Sequence, residues 1–503
     1  MKYIADSVEM AQIDRYTTDD IGIPEMVLME RAALSVFDYI KSNYSKNSKT
    51  LIVVEGGNNG ADGLAVARLM LSDGYDVEVY YINAIEKTTK SFDAQLNIAK
   101  KLNVKFVDEI VNYGYDIIVD AIFGVGLSRA VMGKHAQTIN QMNEIPAFRL
   151  AIDIPSGIDA STGFVMGTAF HADATVTFGL LKLGHIMGIG NEYSGKVILA
   201  DIGFPEKAVS FVRPKLYAYT GEDVDRLLPF RKSDTHKGSY GKIGVIGGYA
   251  NMAGAALFSA ESAYRMGCGL VRICTVADNR EIMQTKLPEA LLTTFDPSET
   301  ESIREAVKAM TAWADVLIVG PGLGRGGYAD YIVEKVLRGY DKTIIIDADA
   351  INVLAENLNW LSDTRANVII TPHLLEMSRL TGQKTGDIKG NKFQVAKAFA
   401  KEHKLVVVLK DSRTIVSVGE EQAYINITGN NGMATGGSGD VLTGIIGALV
   451  GQGMTAFEAA KLGVCMHGLA GQEASISMGR YSMIAGDIVR SITRVLENEY
   501  YTD

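Results

Sequence analysis

Short runs of β-branched and apolar residues alternate with helical stretches along the whole chain, and that alternation constrains the fold more than any other feature. It is the pattern of α/β architecture built on parallel sheets. In the first half the runs are residues 50–55, 76–82, 116–120, 149–153 and 174–178. In the second half they are 242–247, 270–276, 316–320, 343–347, 368–371 and 405–410, and then a hairpin pairs 414–418 with 423–427. Helical patterns are expected at 61–73, 441–450 and 456–470. Several runs end in a carboxylate or pass into glycine, as happens where loops at the carboxyl ends of parallel strands hold a ligand.

A chain of 503 residues exceeds one ordinary core, so two or three domains are expected. Between the halves, residues 201–221 carry Pro205 and Pro214 and show no clear period, which puts a boundary near 215 and domains at 1–215 and 216–503. A net charge of −10 argues against nucleic acid or an anionic membrane as partner. Cys268, Cys274 and Cys465 are too few and too scattered for a disulfide framework, so a reducing compartment such as the cytoplasm is expected. No apolar run follows Lys2, so no signal peptide is expected, and no segment approaches the ~20 apolar residues that cross a bilayer.

The stretch Asn431-Gly432-Met433-Ala434-Thr435-Gly436-Gly437-Ser438-Gly439-Asp440 is a glycine-rich turn opening a helix. Gly436, Gly437, Ser438 and Gly439 form a candidate anion hole, where helix N-terminal amides meet a phosphate or oxyanion. Asp440 stands at its mouth, placed to move a proton at the reacting atom. Asp is also a good helix cap, so a structural turn is the competing reading.

The first half repeats a related device at successive strand ends. Gly56-Gly57-Asn58-Asn59-Gly60-Ala61-Asp62-Gly63 follows a strand and opens a helix. Asp120-Ala121-Ile122-Phe123-Gly124-Val125-Gly126-Leu127-Ser128-Arg129-Ala130 and Asp153-Ile154-Pro155-Ser156-Gly157 do the same. Asn59, Asp120 and Ser156 together offer oxygens to a hard cation. A lone strand-end Asp also serves as a cap, but three converging favour a site. In the second half Gly320–Gly324 reads as a loop for close backbone approach, through Gly322, or as a plain turn. His373 suits a substrate hydrogen bond or a helix cap. Lys410-Asp411-Ser412-Arg413-Thr414 offers a phosphate a point charge and a planar fork, or is a solvated turn.

Residues 1–212 resemble the NAD(P)H-hydrate epimerases, through Leu28-Met29-Glu30-Arg31-Ala32 and the three strand-end motifs. Residues 220–500 resemble the NAD(P)H-hydrate dehydratases of the ribokinase superfamily, through His236-Lys237-Gly238-Ser239-Tyr240-Gly241, Gly320–Gly324, Thr371-Pro372-His373 and the Asp440 loop. The resemblance implies an N-terminal Rossmann-like and a C-terminal ribokinase-like three-layer sandwich. It implies a bifunctional repair enzyme that epimerises hydrated NADH or NADPH and dehydrates one epimer with ADP as phosphoryl donor, probed against a small-molecule kinase as alternative. It implies substrate contacts from Asn58, Asn59, Gly60, Ala61, Asp62, Gly124, Val125, Gly126, Leu127, Ser128, Arg129, Ala130 and Asp153, and from Gly322, His373 and Asp440. Asp440 and Asp153 are then catalytic. Adenine nucleotide falls to Lys410, Asp411, Ser412, Arg413, Thr414 and Gly439, and potassium to Asn59, Asp120 and Ser156. Magnesium accompanies the nucleotide, and the family suggests a homo-oligomer. The chain departs from the family at Ala61 and Asp411, where glycine is usual, and at Leu374-Leu375, where Pro-Gly is usual.

Overall fold

The computed structural model describes residues 1–82 and 88–497. The chain divides into two compact units, one of Tyr3–Leu216 and the other of Met1–Lys2 with Tyr217–Asp503. Among the described residues no helix is long and apolar enough to cross a membrane.

The first unit is built on seven parallel strands. Their order across the sheet is Lys105–Val107, Val77–Tyr81, Thr50–Val54, Ile117–Ala121, Phe148–Ile152, Ala174–Phe178 and Lys196–Ala200. Side chains alternate between faces along a strand, and both faces are apolar here. Ile52, Val54, Ile117 and Val119 pack with Ala32, Val36, Leu64 and Phe92 on one side. Leu51, Val53 and Ile118 pack with Ile139 and Met142 on the other. Two helical layers therefore sandwich the sheet. Helix Asn58–Ser72 leaves its strand so tightly that a Cβ at Gly60 would sit 1.8 Å from the Glu55 carbonyl oxygen, which explains glycine there. Ala61 lies inside this helix with ordinary φ, so its departure from glycine costs nothing in backbone strain.

The second unit runs Leu291–Phe295, Leu270–Val276, Lys242–Ile246, Val316–Val319, Thr343–Ile346, Asn367–Ile370 and Val406–Leu409 in parallel. The antiparallel strands Ile415–Ser417 and Ala423–Ile425 follow. The interior parallel strands are almost wholly buried, as strands covered on both faces must be.

The expected strands all form, with ends trimmed or shifted by a residue or two. Asp153 and Asp347 fall just beyond their ladders. The strands Lys105–Val107, Lys196–Ala200 and Leu291–Phe295 were not legible because they are sheet edges. All three are partly exposed: Lys105–Val107 is only three residues long, Leu291–Phe295 is broken by two threonines, and Lys196–Ala200 is apolar after its lysine but not buried. Pro205, at φ −65° and ψ 140°, starts the short helix Glu206–Val212, too brief to show a period.

Candidate functional site

In the first unit a cleft of ≈ 540 Å³ opens at the carboxyl ends of the strands. Asn58, Asn59, Asp62, Asp153, Lys182 and the loop from Gly124 to Arg129 face it. Gly60 and Ala61 are buried in the first helical turn, and Ala130 is outside the lining.

Asp153 is held at φ +67°, a left-handed backbone that non-glycine residues rarely adopt. The conformation turns its carboxylate onto the buried Lys182, whose Nζ donates to Oδ1 at 2.6 Å and also to Thr177 Oγ1 at 2.8 Å. Burial raises the Asp153 pKa, but the Lys182 charge and hydrogen bond outweigh it and hold the group below its ordinary value. His185 fixes the backbone beneath, its Nε2 2.7 Å from the Asp153 carbonyl oxygen. Asp62 is the opposite case. Burial, then the charges of Asp153, Glu25 and Asp14, push its pKa well above the carboxylate range. One wall of the cleft therefore carries a lysine-paired carboxylate held low, and the other a carboxyl held high.

Behind the glycine loop, Asp120 accepts from Ser156 Oγ at 2.6 Å and from the Ser156 amide at 2.7 Å. Ser156 Oγ in turn accepts from the Phe123 amide at 2.8 Å. Burial lifts Asp120 to about 6, and among the described residues no cationic side chain opposes it. Asn59 lies next to Gly124, where a Cβ would come 3.5 Å from its Oδ1, and its buried Nδ2 has no acceptor among the described residues. The structure thus brings Asn59, Asp120 and Ser156 into one neighbourhood.

In the second unit helix Ser438–Gly451 begins two residues before Asp440. Gly437, at φ +91°, makes the turn into it. Asp440 is therefore not the cap. Among the described residues no protein acceptor takes the amides of Gly436, Gly437, Gly439 or Asp440, and none donates to the Asp440 carboxylate. A Cβ on Gly436 would meet nothing within 4 Å, so the cradle is open. Burial, then repulsion from Asp347, raises Asp440 to about 7, with Lys410 opposing.

Lys410 Nζ donates to Asp347 Oδ1 at 2.6 Å, and Thr371 Oγ1 donates to the same oxygen at 2.6 Å. That ammonium would lie 3.2 Å from a Cβ on Gly439, directly over the cradle. Beside Asp347, Ala348 adopts φ +48°, and Asp349 accepts from the Gly324 amide at 2.9 Å, tying in the loop of Gly322. His373 caps its helix, with Nδ1 accepting from the amides of Leu375 at 3.1 Å and Glu376 at 3.2 Å, and leaves Nε2 3.3 Å from Glu376 Oε1. Burial raises Glu376 to about 7. Asp411 pairs with the buried Lys392 at 2.7 Å, at ordinary φ, so this turn does not need glycine. Lys392 also donates to the Arg413 carbonyl oxygen at 2.9 Å, and Thr414 Oγ1 donates to the Asp411 carbonyl oxygen at 3.2 Å. Ser412 is exposed on the same turn.

Sequence reasoning missed Asp14, Glu25, Lys182, Asp347 and Glu376. Only Asp347 carried a signal, since it ends a strand as Asp120 and Asp153 do.

The NAD(P)H-hydrate dehydratase family matches residues 243–494, and the YjeF-related protein N-terminus family matches residues 25–184. The bifunctional NAD(P)H-hydrate repair enzyme Nnr of Moorella thermoacetica is 36% identical, over 99% of this chain and 97% of its own length. The Escherichia coli enzyme of the same name is 34% identical, over 97% of this chain and 92% of its own. Among solved structures, the ADP/ATP-dependent NAD(P)H-hydrate dehydratase of Bacillus subtilis, co-crystallised with ATP and Mg2+, superposes with a TM-score of 0.50 and is 27% identical, covering 56% of this chain and 98% of that one. With its two site-bearing units and full-length relatives, the chain belongs to the bifunctional NAD(P)H-hydrate repair enzymes.

Proposed function

We propose that residues 216–503 dehydrate a hydrated reduced nicotinamide nucleotide using ADP, and that residues 1–215 interconvert its two epimers. The observation that carries the reading is the loop at Gly436–Asp440, where unpaired amides flank an unpaired carboxylate held near neutrality.

The chemistry follows from the substrate. Reduced nicotinamide is an enamine, so water adds its hydroxyl at the carbon next to the ring nitrogen. Hydroxide is a poor leaving group. Asp440 takes the hydroxyl proton as that oxygen attacks the terminal phosphorus of ADP, and AMP departs. The Gly436, Gly437, Gly439 and Asp440 amides hold the phosphoryl oxygens, and Lys410 adds charge over them. The ring nitrogen then expels phosphate, and loss of a proton from the neighbouring carbon restores the double bond. Gly322 and His373 border the substrate, and Lys410 to Thr414 the nucleotide. Asp349 and Glu376 fit magnesium, because each adds negative charge beside Asp440 that a cation would offset. They would hold it largely through water, and when bound it neutralises phosphate charge.

In the first unit Asp62, protonated, donates to the departing hydroxyl while the ring nitrogen expels it as water. Asp153, ionised, takes a proton from water adding to the opposite face. Asn58, Asn59 and the loop from Gly124 to Arg129 border the nucleotide. Potassium fits Asn59, Asp120 and Ser156, since Asp120 is buried with no cationic partner among the described residues, and when bound it would compensate that charge. The three cysteines are free and buried, in keeping with a cytoplasmic enzyme. A homo-oligomer acting on small molecules fits the family.

The test incubates separated epimers of hydrated NADH with ADP. Recovery of reduced-nicotinamide absorbance, with AMP and phosphate in equal amounts, supports the reading. A stable phosphorylated product without that recovery overturns it in favour of a small-molecule kinase.

A further inference from the structure

Helix Ala456–Met478 brings His467 against the first turn of helix Ser438–Gly451, with Nε2 3.2 Å from Ser438 Oγ. No motif marks this contact, which joins positions 29 residues apart. Ser438 differs from its neighbours in the cradle. Its amide already donates to the Thr435 carbonyl oxygen at 3.3 Å, whereas those of Gly436, Gly437, Gly439 and Asp440 have no protein acceptor among the described residues. What Ser438 still has to offer an anion is its hydroxyl.

Where that hydroxyl points depends on the imidazole. Burial holds His467 down at about 4, so the ring is neutral at neutral pH and carries one N–H and one acceptor nitrogen. If Nε2 is the acceptor, it takes the Ser438 proton and turns lone pairs toward the cradle, which repels an anion. If Nε2 carries the hydrogen, it occupies the serine oxygen and leaves the O–H free to donate. The open amides and Lys410 over Gly439 make the cradle a place for negative charge, and only the second tautomer agrees with them.

We propose that His467 is a positioning residue of the dehydratase: its Nε2–H donates to Ser438 Oγ and thereby commits the Ser438 hydroxyl, as an additional donor, to the phosphoryl oxygens held by the Gly436–Asp440 amides. The proposal rests on the dehydratase reading of that loop.

A double-mutant cycle on the full chain tests it, with kcat, KM for ADP and Tm measured for Ser438→Ala, His467→Leu, His467→Gln and the Ser438→Ala/His467→Leu pair. Loss of one preorganised donor predicts a kcat lowered at least ~10-fold in both Ser438→Ala and His467→Leu, with KM changed less. The double variant should be no slower than the worse single one, and His467→Gln, which keeps an N–H donor, should recover most of the loss. Losses that multiply in the double variant, a fully active His467→Leu, or a His467→Gln as poor as His467→Leu each overturn the role. Nitrogen-15 NMR of the wild-type ring gives an independent reading that needs no variant to fold: hydrogen on Nε2 supports the proposal and hydrogen on Nδ1 overturns it. If wild type itself fails to regenerate reduced nicotinamide, the dehydratase reading falls; wild-type turnover with multiplying losses sinks only the role of His467.

Discussion

Replacing Asp440 by Asn should abolish dehydration and at the same time stabilise the protein, but only on the alkaline side. Burial and the charges of Asp347, Asp349 and Glu376 lift this carboxyl from 3.8 to about 7. A group whose pKa is higher folded than unfolded binds its proton more tightly in the folded state. Its contribution to stability is full below the unfolded value and is lost as pH rises through about 7. Above that, the folded protein carries a charge its surroundings disfavour. At ~1.4 kcal/mol per pKa unit the ceiling is about 4 kcal/mol. The carboxyl is only partly buried and Lys410 is near, so screening reduces the expected gain from a neutral amide to about 1–2 kcal/mol. For a unit of this size that is a rise in Tm of about 2–8 °C. Thermal scans at about pH 8.5 should show it, and scans at about pH 5, where the wild-type carboxyl is protonated, should not. Wild-type kcat should rise with pH through about 7, as the base loses its proton. Equal stabilisation at both pH values, or turnover by Asp440→Asn near the wild-type rate, would refute the idea of a desolvated base.

Three further outcomes follow from the first unit. Asp153→Asn and Lys182→Met each break a buried pair and should cost about 3–5 kcal/mol of that unit's stability and its epimerisation. Dehydration of the usable epimer should persist, which separated epimers will show. Gly60→Ala puts a methyl 1.8 Å from the Glu55 carbonyl oxygen and should unfold or distort the site helix, whereas Ala61→Gly should cost only about 1 kcal/mol; both are read by circular dichroism and thermal melts. Replacing potassium with choline should slow epimerisation and lower the first unit's Tm while sparing dehydration, and Ser156→Ala should weaken the response to added KCl.

The interior of each sheet was legible because parallel strands buried on both faces write themselves as unbroken apolar runs. Residues 174–178 and 270–276 are strands to the residue. Edge strands such as Leu291–Phe295 were not, because one side faces solvent and the apolar run breaks. The site divides in the same way. Glycine-rich turns announce themselves locally, so Asn59, Asp120, Asp153 and Asp440 stood out. Their partners do not. Lys182 reaches Asp153 from a neighbouring segment 29 residues on, and Lys410 meets Asp347 across 63 residues. Those pairings exist only once the strands are ordered side by side; nothing in the local pattern of Lys182 distinguishes it from a surface charge, and Lys410, legible as a phosphate contact, gave no sign of Asp347.

The two units treat their acids differently, and the difference matches the work asked of each. Epimerisation needs an acid and a base together, and the first unit makes them from identical chemistry by giving Asp153 a lysine and Asp62 only other carboxylates. The dehydratase needs one base that is charged when it meets the hydroxyl and then accepts a proton readily. Its base is the raised carboxyl of Asp440, which no lysine contacts among the described residues. Lys410 is instead paired to Asp347, close enough to serve the phosphoryl group without capturing the base. Both arrangements depend on backbone that the sequence disfavours. Asp153 at φ +67° and Ala348 at φ +48° each cost roughly 1–3 kcal/mol. Relaxing either would swing a strand-end carboxylate away from its lysine, so the strain persists where the charge pattern requires it.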